Sequence, residues 1–522
     1  MRHLRATVFL LVIFALLLSL SVTVAQDDKT LRIVFVNDMR TSDPHIAYET
    51  ETWPMASLFY VGLVRLSDPG TAVPALAESW TISDDGLVYT FKLREGLKFS
   101  NGRDLTADDV KYSFERLLNP ATAAPTSFMF EPVVGAAEML AGSATEVTGI
   151  KVIDPLTVEF TLVQPVWSMM QRFSLPPGFI VAKEGVEAAG TEFGRQPLGA
   201  GPFMIESWES GIRVTGTRNP YYYEAGQPYF DAFELQLGIE SSVGILRIEN
   251  GEADIALDFV PNSDYPRLVT DPALAPRLLP SAGFPNTSYI ILNNNKEPFN
   301  NPLVRQALNM AVDRDRLVQI FNGRAVTIGG YLPPVAPGHN PDVVAPAYDP
   351  EGAKALLAEA GYPDGFTTTM LSNTFPNDVA IAQAVIADLA AIGVNVELTS
   401  VDNAQFLDVL NTKPETLDMV KTEWYMDYQD PSNNWEPLLQ CGGSYNWAQY
   451  CNEALDAQFA ETNLIPIGEA RWQAFAAFEA AVAAEVPNLY LISAKDYYFT
   501  SERLSITSDP SVLLAFASAT VK

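Results

Sequence analysis

The stretch EWYMDYQDPSNNW, residues 423–435, gathers Trp424, Tyr425, Tyr428 and Trp435 with Asp427 and Asp430 around one Asp-Pro turn. Rings of this kind fill cores; carboxylates do not. A carboxylate withdrawn from water costs several kcal/mol unless it is paired, so core packing does not account for both. Read as a strand, the segment alternates: Lys421, Glu423, Tyr425 and Asp427 share one face, and Thr422, Trp424 and Met426 the other. That assigns Trp424 to packing and leaves Tyr428 and Trp435 open between core and lining. Asp430 before Pro431 reads as turn chemistry.

Other chemistries find little support. Beyond residue 25 the chain holds two histidines, His45 and His339, so a His-rich metal site is excluded and histidine-dependent nucleophilic catalysis would have to use one of them. There is no GxSxG elbow, Walker loop or HExxH helix. Sixty-three acidic residues always offer carboxylate pairs, so a glycosidase reading gains nothing from them. No catalytic residue, metal site or cofactor is expected. Cys441 and Cys451, in QCGGSYNWAQYC, are spaced for a disulfide closing a short loop, not for a CxxC redox or zinc site.

The compartment follows from the first residues. Arg2 and Arg5 precede an apolar run from Val8 to Leu20, and Thr23-Val24-Ala25 provides small residues before Gln26. This is the layout of a cleavable secretory signal over 1–25, and the run is shorter than the ~20 residues a spanning helix needs. Neither cysteine lies near the cut, so no lipid-anchored terminus is expected. The basic count then falls from 33 to 31 against 63 acids, a net charge of −32 instead of −30. Such a surface repels nucleic acid and anionic membranes.

Regular elements alternate along the chain. LVYTFKLR (87–94) and LTVEFTLV (156–163) have the period of half-buried strands. Thr106 with Asp109 caps a helix that Asn119-Pro120 ends. NPLVRQALNMAVDRDRLVQIFNG (301–323) reads as one helix stopped by Gly323. Asp349-Pro350 opens another that closes at Gly361, and IAQAVIADLAAIG leads through Gly393 into a strand from Val394. Interleaving of this kind indicates α/β domains, and a chain of 522 residues has room for two or three.

The order of longer motifs carries a resemblance. SWTISDDGLVYTFKLREGLKFSNGRDLTADDVKYSFERL (79–118), QPLGAGPFMIESW (196–208), RNPYYY (218–223), ENGEADIA (249–256), LNNNKEPFNNPLVRQALNMAVDRDRL (292–317) and AKALLAEAGYPDGF (353–366) resemble the peptide-type, family 5 extracellular solute-binding proteins of ABC importers, the oligopeptide, dipeptide and nickel group. The likeness covers nearly all of the chain after residue 25. Asn101 departs from it, standing where the family often has an acidic residue.

The resemblance implies a two-lobed periplasmic-binding-protein-like α/β fold with an extra α+β domain inserted in the first lobe. Lobe I is expected at 26–68, 200–283 and 495–522, the insertion at 69–199 and lobe II at 284–494. Hinge crossings fall near 280–286 and 490–496. The ligand shifts the population toward closure, and the permease of the importer docks the closed form. Asp427, in a W-x-x-D-x-x-[DE]-P pattern, is then the partner of a peptide's α-ammonium. The backbone of Glu423 and Tyr425 pairs with the ligand main chain. Lys421 matches a basic residue that meets the carboxylate of short peptides, and Tyr48 to Thr50 form the facing wall; Trp424 and Trp435 complete the expected ligand-binding set. The protein is expected to be an exported monomer that captures short peptides. Oligosaccharides stacked on the rings, a metal chelate, or a secreted hydrolase are the alternatives.

Overall fold

Where the sequence pattern buries one face, strands form as read. In Val88–Leu93, Tyr89, Phe91 and Leu93 are buried while Lys92 is exposed. The computed structural model describes residues 29–48, 52–68, 70–281, 285–510 and 513–522. The expected signal segment and Thr50 lie outside these residues.

Val88–Leu93 belongs to a four-stranded antiparallel sheet ordered Ala77–Ile82, Val88–Leu93, Thr157–Thr161, Ile150–Asp154. Helix Ala107–Leu118 lies against it, and Asp109 accepts from the Thr106 backbone N–H at 2.9 Å, the cap expected from that spacing. A five-stranded sheet runs Ile255–Ala256, Thr30–Val34, Ala232–Gln236, Arg213–Arg218, Phe203–Glu209. Phe91 and Phe160 of one sheet and Leu31 and Phe233 of the other fall in a single apolar cluster, so the two sheets share a core. Together they form the first lobe.

The second lobe is built on six strands in the order Ala325–Thr327, Asn488–Ala494, Asn286–Leu292, Met419–Tyr425, Phe366–Asn373, Val394–Val401. Its central strands are apolar on both faces, as expected for a covered sheet. Tyr289, Ile291, Val420 and Trp424 pack on one side. Ile290, Leu292, Met419 and Leu491 pack on the other. The short pair Leu278–Pro280 with Tyr497–Phe499 stands next in sequence to Asn286–Leu292 and Asn488–Ala494 of the six-stranded sheet.

One expected helix is two. Residues 301–323 form Pro302–Met310 and Arg314–Ile320, broken at Ala311-Val312-Asp313. Asp313 accepts from the Arg316 N–H at 3.2 Å and so starts a new helix; an aspartate bonds better to free amides at a helix end than inside a turn. Gly323, with φ +78°, follows as the stop. Asp349 caps Pro350–Glu359 through the Gly352 N–H at 2.9 Å.

Candidate ligand-binding cleft

The strand Met419–Tyr425 positions the site because it is paired fully on one edge only. Every residue has a partner in Asn286–Leu292, from Met419↔Leu292 to Tyr425↔Asn286. On the other edge Phe366–Asn373 meets it at Met370↔Met419 and Leu371↔Val420, so among the described residues Lys421–Tyr425 has no strand beside it there. The Met426 N–H donates to the Pro285 carbonyl at 2.9 Å, toward the paired side. By the two-residue alternation of backbone groups, Glu423 and Tyr425 direct theirs to the open edge.

Asp427 follows that edge and is buried, 7% exposed. Its Oδ2 accepts from Asn433 Nδ2 at 2.9 Å and from the Tyr48 hydroxyl at 3.1 Å, and its N–H donates to Asn433 Oδ1 at 2.9 Å. Both side-chain partners are neutral. Burial pushes the carboxyl up to about 7, against the lowering effect of the Asn433 and Tyr48 hydrogen bonds and the charge of Arg172. A buried acid held half-ready to ionise is what a cationic group would complete.

The other expected residues divide. Tyr48 reaches across from the first lobe, its ring 5.5 Å from Tyr445 and 6.4 Å from Trp424. Trp424 is buried and donates from Nε1 to Asn433 Oδ1 at 3.1 Å. Trp435 is fully buried, edge-on to Phe478 at 4.7 Å and stacked on Phe459 at 6.0 Å, so the ring left open by the sequence is in the core. Lys421 is fully buried and its Nζ is paired with Asp378 Oδ1 at 2.5 Å and Thr422 O at 3.1 Å. Asp430 takes two bonds from Arg471 Nη2, at 2.9 and 3.0 Å, and caps Ser432 N at 3.0 Å, the turn role expected of it. Cys441 and Cys451 form the expected disulfide.

Several participants carried no local signal. Tyr425 donates to Asp496 Oδ2 at 3.0 Å and stacks with Phe259 of the first lobe at 6.0 Å. Arg172, fully buried, meets Glu436 at 2.8 Å and lies 4.8 Å over the Tyr428 ring, joining the first lobe to the second. The Gln429 N–H donates to Gln171 Oε1 at 2.9 Å, and the Tyr445 hydroxyl to the Pro125 carbonyl at 3.0 Å. The lobes are therefore in contact along both sides of Asp427.

Neither histidine sits in such a constellation. His45 Nε2 faces the Phe179 carbonyl at 3.2 Å and its Nδ1 faces Arg116 at 2.8 Å; burial, then Arg116, holds its pKa down to about 4. His339 pairs with the buried Glu479 at 3.2 Å. Among the described residues no group of three His, Cys, Asp or Glu side chains gathers as a metal site.

Two lobes that meet beside an open strand edge with a buried acid at its end have the arrangement of a protein that holds a solute between them. The chain belongs to the bacterial extracellular solute-binding proteins of family 5, whose "Middle" model matches residues 71–446. It is 30% identical over 452 residues to the glutathione-binding protein GsiB of Salmonella typhimurium, an alignment that covers 83% of this chain and 82% of that protein. The Escherichia coli murein tripeptide binding protein MppA superposes with a TM-score of 0.84 at 24% identity, over 94% of this chain and 98% of that one. Against the unliganded open form of MppA the score is 0.70 at 23% identity, over 95% and 98%. The contacts of Arg172 with Glu436, of Gln171 with Gln429 and of Tyr445 with Pro125 hold the two lobes together.

Proposed function

We propose that the protein captures short peptides between its lobes and delivers them to the membrane permease of an ABC importer. Asp427 carries this reading: a buried carboxylate with neutral partners at the end of an unpaired strand edge. An extended peptide can add to that edge through the backbone of Glu423 and Tyr425 while its α-ammonium meets Asp427. Tyr48 supplies the facing wall. Lys421 contributes through its pair with Asp378, and Trp435 supports the loop from the core.

The peptide character of the ligands named for GsiB and MppA supports the same class. Strand membership supports a division into lobe I (26–68, 200–283 and 495–522), insertion (69–199) and lobe II (284–494). The protein acts outside the cytoplasm, in the periplasm or at the outer face of the cytoplasmic membrane, after removal of residues 1–25, and as a monomer. Tyr48, Trp424 and Tyr445 pack on one another rather than leaving an open platform, which favours peptide over sugar.

Native mass spectrometry of freshly purified protein, followed by calorimetry with short peptides, tests the reading. Peptides should bind and return intact; hydrolysis would indicate the enzyme alternative, and preference for a neutral sugar the oligosaccharide one. Asp427→Asn should weaken peptide binding by roughly 1.5–3 kcal/mol, the scale of a charged hydrogen bond.

A further inference from the structure

Glu423 does more on the open edge than present a backbone. Its side chain lies on the face of the sheet opposite Trp424, and the register Ser288↔Glu423 puts Ser288 beside it on that face. Ser288 is 2% exposed, and its hydroxyl has no hydrogen-bond partner. Tyr425 and Asn286, the next cross-strand pair, both donate to Asp496 Oδ2, at 3.0 and 3.2 Å. A half-buried carboxylate, an unsatisfied hydroxyl and a second carboxylate therefore neighbour one another on this face of the sheet.

The charges there do not cancel. Lys421, on the same face, is closed off by Asp378 at 2.5 Å. Arg324 is the cation whose field lowers Asp496, yet its guanidinium is bonded to Asn262 and to the Val260 carbonyl at 3.3 Å and lies 4.6 Å over the Tyr265 ring. Glu423 and Asp496 thus stand as two acids against one arginine. Burial raises Glu423 to about 8, with Asp378 and Asp496 adding to the rise and Lys421 and a hydrogen bond with the Tyr425 side chain opposing it. A second positive group would release that proton and satisfy both carboxylates.

Resting on the peptide reading above, we propose that Glu423, with Asp496 behind it and Ser288 beside it, seats a second cationic group of the ligand. The preferred peptides then carry a basic side chain at their second or third residue. Asp427 lies four residues beyond Glu423, at most about 13 Å along the chain at ~3.3 Å per residue, since the strand ends at Tyr425. A ligand strand with its ammonium at Asp427 spans that in three to four residues, and the length of a lysine shortens it by one. Its side chain opposite Glu423 stands about 5 Å away between Cβ atoms, the ordinary cross-strand distance. An acidic tripeptide such as glutathione brings a further carboxylate and no second cation to this pair of acids, and is disfavoured.

Calorimetry with Ala-Ala-Ala, Ala-Lys-Ala, Ala-Ala-Lys, Ala-Ala-Glu and glutathione tests this on the wild type, Glu423→Gln and Asp427→Asn, with thermal melts checking that each variant folds. One lysine peptide should bind the wild type about tenfold more tightly than tri-alanine, the scale of one charged hydrogen bond, and Ala-Ala-Glu most weakly. Glu423→Gln should bring the lysine-to-alanine ratio close to one. Asp427→Asn should weaken every peptide and keep the ratio. A ratio that survives Glu423→Gln, or preference for Ala-Ala-Glu or glutathione, overturns the assignment. Binding of peptides with no lysine preference overturns this inference alone; failure of all peptides to bind overturns the peptide reading with it.

Discussion

The Tyr48 hydroxyl, on the first lobe, donates to Asp427 Oδ2, on the second, at 3.1 Å. The bond exists only when the lobes meet, and it favours the charged carboxylate. Tyr48→Phe keeps the ring contacts with Trp424 and Tyr445 and removes this one donor. Peptide affinity should fall by about 1–1.5 kcal/mol, roughly five- to tenfold in Kd. Calorimetry reads the loss, and an unchanged Kd would separate Tyr48 from the site.

Binding should weaken in acid. Asp427 stands at about 7 in the folded protein against an ordinary 3.8, raised first by burial. Its folded value lies above its unfolded one, so its contribution to stability is fully present below about 3.8 and fades as pH rises through about 7. A bound ammonium reverses that loss by holding the carboxylate ionised. Below about 7 the ligand must expel a proton, so tri-alanine should bind roughly 20-fold more weakly at pH 5.5 than at 7.5. Ligand should also raise Tm more at the higher pH. A flat affinity over that interval would remove Asp427 as the ammonium partner.

Much of this arrangement was legible from local pattern. A period of two found Val88–Leu93 and the Met419–Tyr425 strand, and caps at Thr106 and Asp349 fixed helix starts, because those signals depend on neighbours a few residues apart. The break at Asp313 was hidden because helical spacing of the apolar residues continues through it. Partners distant in sequence left no trace: Asp378 is 43 residues from Lys421, and Asp496 is 71 from Tyr425. The resemblance alone points Lys421 to a ligand carboxylate, because its partner Asp378 lies far along the chain. Trp435 stays open between core and lining in the sequence because Phe459 and Phe478, which enclose it, also lie far along the chain.

That enclosure makes Trp435 a stability residue. Its ring packs against Tyr331, Phe459 and Phe478 with no exposure. Trp435→Ala should cost about 3–5 kcal/mol in urea unfolding, the range for truncating a large buried aromatic. Trp435→Phe should recover much of that. A loss of peptide affinity in a Trp435→Phe protein of near wild-type stability would instead make the ring part of the lining.

Closure itself is open to test at Arg172 and Glu436. Arg172 is fully buried in the closed form, its guanidinium held by Glu436 at 2.8 Å, Ser168 Oγ at 3.1 Å, the Met129 carbonyl at 3.1 Å and the face of Tyr428. Glu436→Gln removes the one charge in that set bonded to it and leaves a buried cation with neutral partners. Lobe opening would return Arg172 to water, so the substitution penalises the closed form selectively. Peptide affinity should fall by about 1–3 kcal/mol, although Glu436 belongs to the lobe contact and not to the proposed ligand seat. Small-angle scattering of the ligand-free variant should show a larger radius of gyration than the wild type, and saturating peptide should restore compactness. Equal scattering and equal affinity in the two proteins would mean that this pair does not govern closure.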